Sequence, residues 1–308
     1  MSSIDKGDSA YAATELTDVP WTTVTGGQHL ILTKQPGGEV VFTSGFAQRG
    51  TVVVEDLKFD NGLIQIADSV MRIPENLEQT ARRAYNDLEA FVGALYTADL
   101  MSEVTKQKDV TIFAPRNAAF QQLAGTFEKM DKETLKRVLR YHIVPGKESH
   151  IWELKNTTVL NTADNGNNIT ITRHTNFIYV NSAEIIQTDI LISNGLVHMI
   201  DNVLNPLDND ARPDTTRTAA QVPVFTLQGE TATGTSVPTP FTTALPCMTS
   251  CPVTGATDAG STPTGATTAT QAAGTSKSTN AAAAPRCTGL VGAGVGVGLA
   301  VGAMMVGL

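Results

Sequence analysis

Thr188-Asp-Ile-Leu-Ile-Ser-Asn-Gly-Leu-Val-His-Met-Ile-Asp201 has a second version in the same chain, Glu55-Asp-Leu-Lys-Phe-Asp-Asn-Gly-Leu-Ile-Gln-Ile-Ala-Asp68. Asp56, Asn61, Gly62, Leu63 and Asp68 recur as Asp189, Asn194, Gly195, Leu196 and Asp201, each 133 residues further on. A period this long indicates duplicated domains rather than a solenoid. Asn-Gly between alternating apolar residues predicts a β-hairpin, because a type I′ turn needs positive φ at both central positions. Both versions soon reach a proline, Pro74 and Pro206, so the hairpin is expected to close a domain.

The second copy has a full domain's length ahead of its hairpin and the first does not, since Met1 corresponds to Thr134. The chain is therefore expected to begin inside a domain, with the missing half and a signal peptide encoded upstream; Met1–Asp8 itself contains no apolar run. A half-domain would leave strands such as Thr51-Val-Val-Val-Glu55 uncovered. The expected division is 1–74 for the partial copy, 75–207 for the complete one, 208–289 for a stalk and 290–308 for a hydrophobic tail.

Within the complete copy, Leu88, Phe91, Val92 and Leu95 fall on one helical face of a segment running from Gln79 to Lys106. Asp109–Phe113 reads as a strand ended by Pro115. Asn117 and Asp131 are expected N-caps, and Leu135, Val138, Leu139 and His142 share a face of the helix after Asp131. From Thr157 the apolar period changes to two, predicting strands at 168–172, 177–180 and 184–187. Helices first and strands later, without βαβ alternation, give an α+β class.

Three ordered motifs carry a family resemblance. Thr111-Ile-Phe-Ala-Pro-Arg-Asn-Ala-Ala-Phe120, Tyr141-His-Ile-Val-Pro-Gly146 and Asn194-Gly-Leu-Val-His-Met-Ile-Asp-Asn-Val-Leu204 resemble the first signature, the central Tyr-His motif and the second signature of fasciclin (FAS1) domains. The partial copy keeps only the last, with Gln65 in place of His198. The resemblance implies a wedge-shaped β-sandwich with a small helical group, and a role in cell adhesion or in association with a wall or matrix. It implies no catalysis. Its adhesion-associated positions fall on Tyr141 and His142, and on Asp189 and Ile190, which match an integrin-contact segment of animal members. Each also has a structural interpretation: His142 lies on an apolar helix face, and Asp189-Ile-Leu191 fits a plain strand.

The residues themselves present no nucleophile elbow, zinc-protease helix, phosphate loop or dinucleotide fingerprint, so neither enzyme, cofactor nor metal is expected. The histidines are His29, His142, His150, His174 and His198; His198 and Asp201, three apart on a strand, point to opposite faces. A net charge of −8 argues against nucleic acid. The expected partner is a protein or glycan of a cell surface, wall or matrix. A non-binding spacer is the alternative.

Between Thr218 and Gly289 only Glu230, Asp258, Lys277 and Arg286 are charged, and Thr, Ala, Ser, Gly and Pro dominate. Such a segment cannot bury enough apolar surface to order itself and reads as an O-glycosylated stalk. Cys247 and Cys251, with no histidine nearby, are expected to form a local disulfide or to remain free thiols rather than to bind a metal. Asn156 and Asn168 head N-glycosylation sequons. Small residues, a short spacer and the apolar Leu290–Leu308 follow the order of a GPI signal, with Asn280 and then Ser278 as attachment residues. This predicts a lipid-anchored protein on the outer face of the plasma membrane or in the wall, with an endomembrane lumen as second choice. The reading frame upstream of Met1 is expected to continue into a half-domain and a signal peptide. Transcript mapping that found a start at Met1 behind a stop codon would refute this.

Overall fold

Strand Gly195–Ile200 is buried along its whole length, and so is Val110–Pro115, which lies parallel to it. In this computed structural model, which describes residues 9–217, 220–225 and 238–246 and the backbone of Gly302–Val306, these two strands form the centre of the complete copy. In chain order the strands are β1 (Ser9–Ala13), β2 (His29–Lys34), β3 (Val40–Thr43), β4 (Arg49–Phe59), β5 (Gly62–Ala67), β6 (Val110–Pro115), β7 (Ile143–Val144), β8 (Val159–Asn161), β9 (Asn168–His174), β10 (Phe177–Val180), β11 (Ala183–Ile192), β12 (Gly195–Ile200) and β13 (Gly302–Val306). The helices are α1 (Leu77–Ala84), α2 (Glu89–Thr97), α3 (Met101–Lys106), α4 (Asn117–Gln122), α5 (Ala124–Glu128) and α6 (Lys132–Tyr141).

One sheet runs β7-β6-β12-β11-β10-β9-β8, with only β6 and β12 parallel. Successive residues of these two strands feed two cores. Ile112, Ala114, Val197 and Met199 pack with Phe91, Leu95, Phe120 and Leu139 of the helices. Phe113 and Ile200 pack with Leu160, Ile169, Ile171, Val180 and Ile185 from β8 to β11. The sheet thus curls so that its later strands cover the face opposite the helices. This is an α+β fold with a sandwich-like strand layer, as expected from the order of the periodicities.

The single helical segment expected from Gln79 to Lys106 is instead α1, a 3₁₀ turn, α2 and α3. The chain turns at Tyr85 (φ −135°) and at Asp99 (φ 55°), neither helical. Asp131 caps α6 as expected, its Oδ1 accepting from the N–H groups of Glu133 and Thr134 at 3.0 Å. Asn117 is not the N-cap of α4, a position held by Arg116; its Oδ1 accepts instead from the N–H of Ala90 at the start of α2 (2.9 Å).

The repeat is structural as well as sequential. Asp56 and Asp189 both take left-handed φ, 56° and 52°, at register shifts in β4 and β11. The N–H of Asp56 donates to Gln65 Oε1, and that of Asp189 to His198 Nδ1. Asp68 Oδ1 accepts from the N–H of Thr51, and Asp201 Oδ1 from that of Glu184 (both 2.7 Å). Gln65 and His198 are therefore equivalent parts of one device.

The hairpin turns are offset by one residue from the expected Asn-Gly. Phe59 pairs with Gly62 and Ile192 with Gly195, so the loops are Asp60-Asn61 and Ser193-Asn194. Neither asparagine has positive φ, and no type I′ turn forms. Asn194 acts through its side chain: Nδ2 donates to the carbonyls of Val104 and Gln107, satisfying the end of α3. Gly195 (φ 152°) is required because a Cβ there would stand 2.0 Å from the carbonyl oxygen of Val110.

The N-terminal copy has a core of its own. Its sheet, β1-β2-β3-β4-β5-β13, buries Leu30, Leu32, Val40, Phe42 and Val52. Val53, Val54, Leu57 and Phe59 are exposed; of their counterparts in β11, Ile186 and Gln187 are exposed too, whereas Ile190 and Ile192 are buried. β5 is the counterpart of β12, and β13 takes the edge that β6 takes beside β12, although antiparallel. The N-terminal sheet also docks on the complete copy. Thr23 N–H donates to Ser193 O (2.9 Å), Gln28 Nε2 to Ile192 O (2.9 Å) and Thr25 Oγ1 to Asp109 Oδ2 (2.6 Å).

Part of the stretch assigned to the stalk is packed. Gln221 is buried, its N–H donating to Asp201 Oδ2 and its carbonyl accepting from Asn202 Nδ2. Phe241 meets Phe120 and Phe127 edge-on at 6.0 and 5.4 Å. Cys247, Cys251, Ser278 and Asn280 lie outside the described residues.

Gly195→Ala is expected to cost on the order of 3 kcal/mol, from overpacking and strain against Val110. Gly146→Ala, where φ is +69° but space is open, should cost only the left-handed penalty of about 1–2 kcal/mol. Urea midpoints of the two variants check this; equal midpoints would contradict it.

Candidate functional site

The Tyr-His motif sits where α6 ends. Tyr141 is fully buried; its hydroxyl donates to the backbone carbonyl of Asn168 (2.9 Å) and accepts from Asn181 Nδ2 (2.8 Å). His142 is also fully buried. Its Nδ1 bonds the carbonyl of Val138 (2.7 Å), and its Nε2 accepts from the N–H of Leu204 (2.9 Å). That pattern fixes the neutral Nδ1–H tautomer. Burial pushes the His142 pKa down to about 4, against a smaller opposing effect of the Val138 carbonyl. The motif thus ties a helix end to β9 and to the chain leaving β12.

Ile190 is buried among the helices. Asp189 is buried too, and its carboxylate accepts from the Tyr11 hydroxyl (2.6 Å) and the N–H of Ile151 (3.0 Å). Burial pushes this carboxyl up, but His150, His198, Tyr11 and Ile151 outweigh it and hold it below the usual carboxylate range. None of Tyr141, His142, Asp189 and Ile190 is an exposed contact residue; all four hold the fold together. His198 is the internally anchored histidine that was expected: Nδ1 accepts from Asp189 N–H and Nε2 donates to Ser149 O (2.9 Å). Burial lowers its pKa, so it is also held neutral.

Asn156 and Asn168 are exposed at the β8–β9 edge. Asn156 Oδ1 accepts from the N–H of Arg173 (2.9 Å). Trp152, Val159 and Phe177 are large apolar side chains that remain more than half exposed or nearly so.

A cleft of about 530 Å³, which no local sequence pattern marks, lies where the N-terminal sheet meets the loop after β7. Tyr11, His29, Glu148, His150 and Trp152 line it. Tyr11 lies against His150, ring centroids 3.8 Å apart, and is stacked on Trp152 at 6.0 Å. Burial, with the Asp189 charge, raises the Tyr11 pKa far above its ordinary value. Tyr11 and His29 lie more than a hundred positions from Glu148, His150 and Trp152, and only the docking of the N-terminal sheet brings the two groups together.

The fasciclin domain family model matches residues 86–206. This part of the chain is a fasciclin domain. The chain is 33% identical over 203 residues to a fasciclin-like arabinogalactan protein of Arthroderma benhamiae, covering 66% of this chain and 47% of that one. It is 32% identical over 168 residues to a fasciclin-like arabinogalactan protein of Cercospora beticola, covering 54% and 44%. The first likeness is longer than the matched domain, so it reaches beyond residues 86–206. The chain spans about half the length of these curated relatives. Among solved structures it is similar to a FAS1 domain pair from the insect cell adhesion molecule fasciclin I, at 17% identity and a TM-score of 0.40, covering 59% of this chain and 69% of that one.

The unfolded chain protonates His142 near pH 6.5, whereas the fold keeps it neutral down to about 4. Its contribution to stability is complete above 6.5 and is lost as pH falls towards 4, by about 3 kcal/mol in all. Urea denaturation across that interval should show the loss, and a flat profile would refute the buried neutral imidazole. Tyr141→Phe should cost about 1–3 kcal/mol by the same measurement.

Proposed function

We propose that this is a cell-surface fasciclin-like glycoprotein, held by a lipid anchor, that mediates adhesion or association with a cell wall or matrix. The observation that carries this reading is the fasciclin domain followed by a Ser/Thr-rich chain, with two exposed sequons on one edge of the domain. The fungal fasciclin-like arabinogalactan relatives support a secreted or cell-surface setting. Among the described residues no helix is long and apolar enough to cross a membrane; the Leu290–Leu308 run assigned to the anchor signal lies largely outside them. The partner is a surface, wall or matrix protein or glycan. Trp152, Val159 and Phe177 are among the exposed large apolar side chains that could make such a contact.

A second reading, a spacer without a ligand, is favoured by one observation: Tyr141, His142 and Ile190 are wholly committed to the core. The two readings separate in a binding assay. A soluble form of the chain should bind isolated walls or matrix saturably, and Trp152→Ala should weaken that binding while Tyr141→Phe should not. Absence of saturable binding would leave the spacer. For the anchor, phosphatidylinositol-specific phospholipase C should release the cell-bound protein. Retention after lipase, with Leu290–Leu308 still present by mass spectrometry, would mean that the segment spans the membrane.

A further inference from the structure

Two imidazoles and one carboxylate converge at the cleft between the N-terminal sheet and the fasciclin domain. His29 opens β2; Glu148 and His150 come from the loop after β7. The ligand atoms of the three side chains all lie within 4.8 Å of one another. Glu148 Oε2 stands 3.3 Å from His29 Nδ1 and 3.8 Å from His150 Nε2. Ligands of a tetrahedral metal bound at about 2.0–2.1 Å are about 3.4 Å apart, so small side-chain rotations complete the geometry.

The polar atoms here are buried without satisfaction. His29 Nδ1, Glu148 Oε1 and His150 Nδ1 are shielded from solvent and make no hydrogen bond. The 3.3 Å approach of His29 to Glu148 does not meet hydrogen-bond geometry, although the carboxylate's proximity still raises the His29 pKa against the effect of burial. His150 is only 5% exposed. Leaving a buried polar group without a hydrogen bond costs about 1–3 kcal/mol; a cation held by His29 Nδ1, Glu148 and His150 Nε2 would offset this for His29 and Glu148, whereas His150 Nδ1 faces Asp189.

The loop is held rigidly on either side of its two ligands. Thr111 Oγ1 donates to Lys147 O (2.7 Å) and accepts from Ser149 N–H (2.8 Å). His198 Nε2 takes the carbonyl of Ser149, and Asp189 takes the N–H of Ile151. On the third ligand's side, Gln28 ties the start of β2 to Ile192 O. Behind His150, Asp189 Oδ1 lies 3.7 Å from Nδ1, the nitrogen turned away from Glu148. A carboxylate behind a metal-binding histidine orients the ring.

We propose that His29, Glu148 and His150 form a binding site for a divalent transition metal of the zinc type, which fastens the N-terminal sheet to the fasciclin domain. Two nitrogens and one carboxylate suit zinc, copper or nickel, whereas calcium and magnesium require oxygen-rich shells. The fourth position faces the cleft and is open to water or to a partner's side chain.

The test uses the full-length chain, stripped with chelator and titrated with Zn²⁺ by calorimetry. One equivalent should bind, unaffected by excess Ca²⁺ or Mg²⁺, and His29→Ala, Glu148→Gln and His150→Ala should each weaken binding roughly tenfold or more. His174→Ala, which changes an exposed histidine, should not. Zn²⁺ should slow amide exchange in β1, β2 and residues 147–151 together. Co²⁺ substitution of the unmutated chain, which does not depend on any variant folding, should give the intense visible bands of tetrahedral N/O ligation. A weak octahedral spectrum, a thiolate charge-transfer band pointing to the cysteines, or undiminished binding in the folded His29→Ala and His150→Ala variants would overturn the proposal.

Discussion

The pairing of Val110–Pro115 with Gly195–Ile200 is the constraint on which the domain depends. Parallel strands cannot be joined by a tight turn, and here some eighty residues of helices and strands lie between the two partners. Both strands are buried on both faces, so neither is stable until helices cover one side and β8–β11 cover the other. Gly195 admits the Val110 carbonyl and Asn194 closes α3, so the tip of the hairpin acts as the joint between sheet and helices. The Tyr-His motif serves the same pairing from the far end, through Leu204 and Asn168.

The repeat explains how the two copies hold one another. Each carries an aspartate in left-handed conformation, with its N–H met by a side chain across the hairpin. In the second copy the same kink turns the Asp189 carboxylate towards Tyr11 of the first copy and the N–H of Ile151. A feature needed inside each hairpin thereby becomes the contact between copies. Leu57 and Phe59 of β4 are exposed where their counterparts in β11, Ile190 and Ile192, are buried.

Fold class, repeat and most strands were legible because period and apolar run survive in the local sequence. β9, β10 and β12 fall where alternation places them, and Asp131 caps α6 because capping is a local matter. Helix breaks at Tyr85 and Asp99 were not legible, since no glycine or proline marks them. The Asn-Gly signal gave the right element and the wrong mechanism: Asn194 was selected by a helix end, and Gly195 by a neighbouring strand, both distant in sequence. His29 and His150 could not be associated from the sequence, because only the docked sheet brings them together. The packed positions of Gln221 and Phe241 were hidden in a composition typical of linkers.

Gln221 gives the route by which the chain leaves the domain a mechanical meaning. The segment downstream of it departs through a buried clasp, its N–H on Asp201 and its carbonyl on Asn202, at the foot of β12. Tension applied to the chain at Pro246 would load the packing of Phe241 on Phe120 and Phe127 first, and those two hydrogen bonds next, before β12. Once Phe241 has let go, the clasp would yield in its turn, releasing the slack held between Asp201 and Gln221 while the ladder of β12 stays intact. A tether attached in this way works as a shock absorber for the domain it carries.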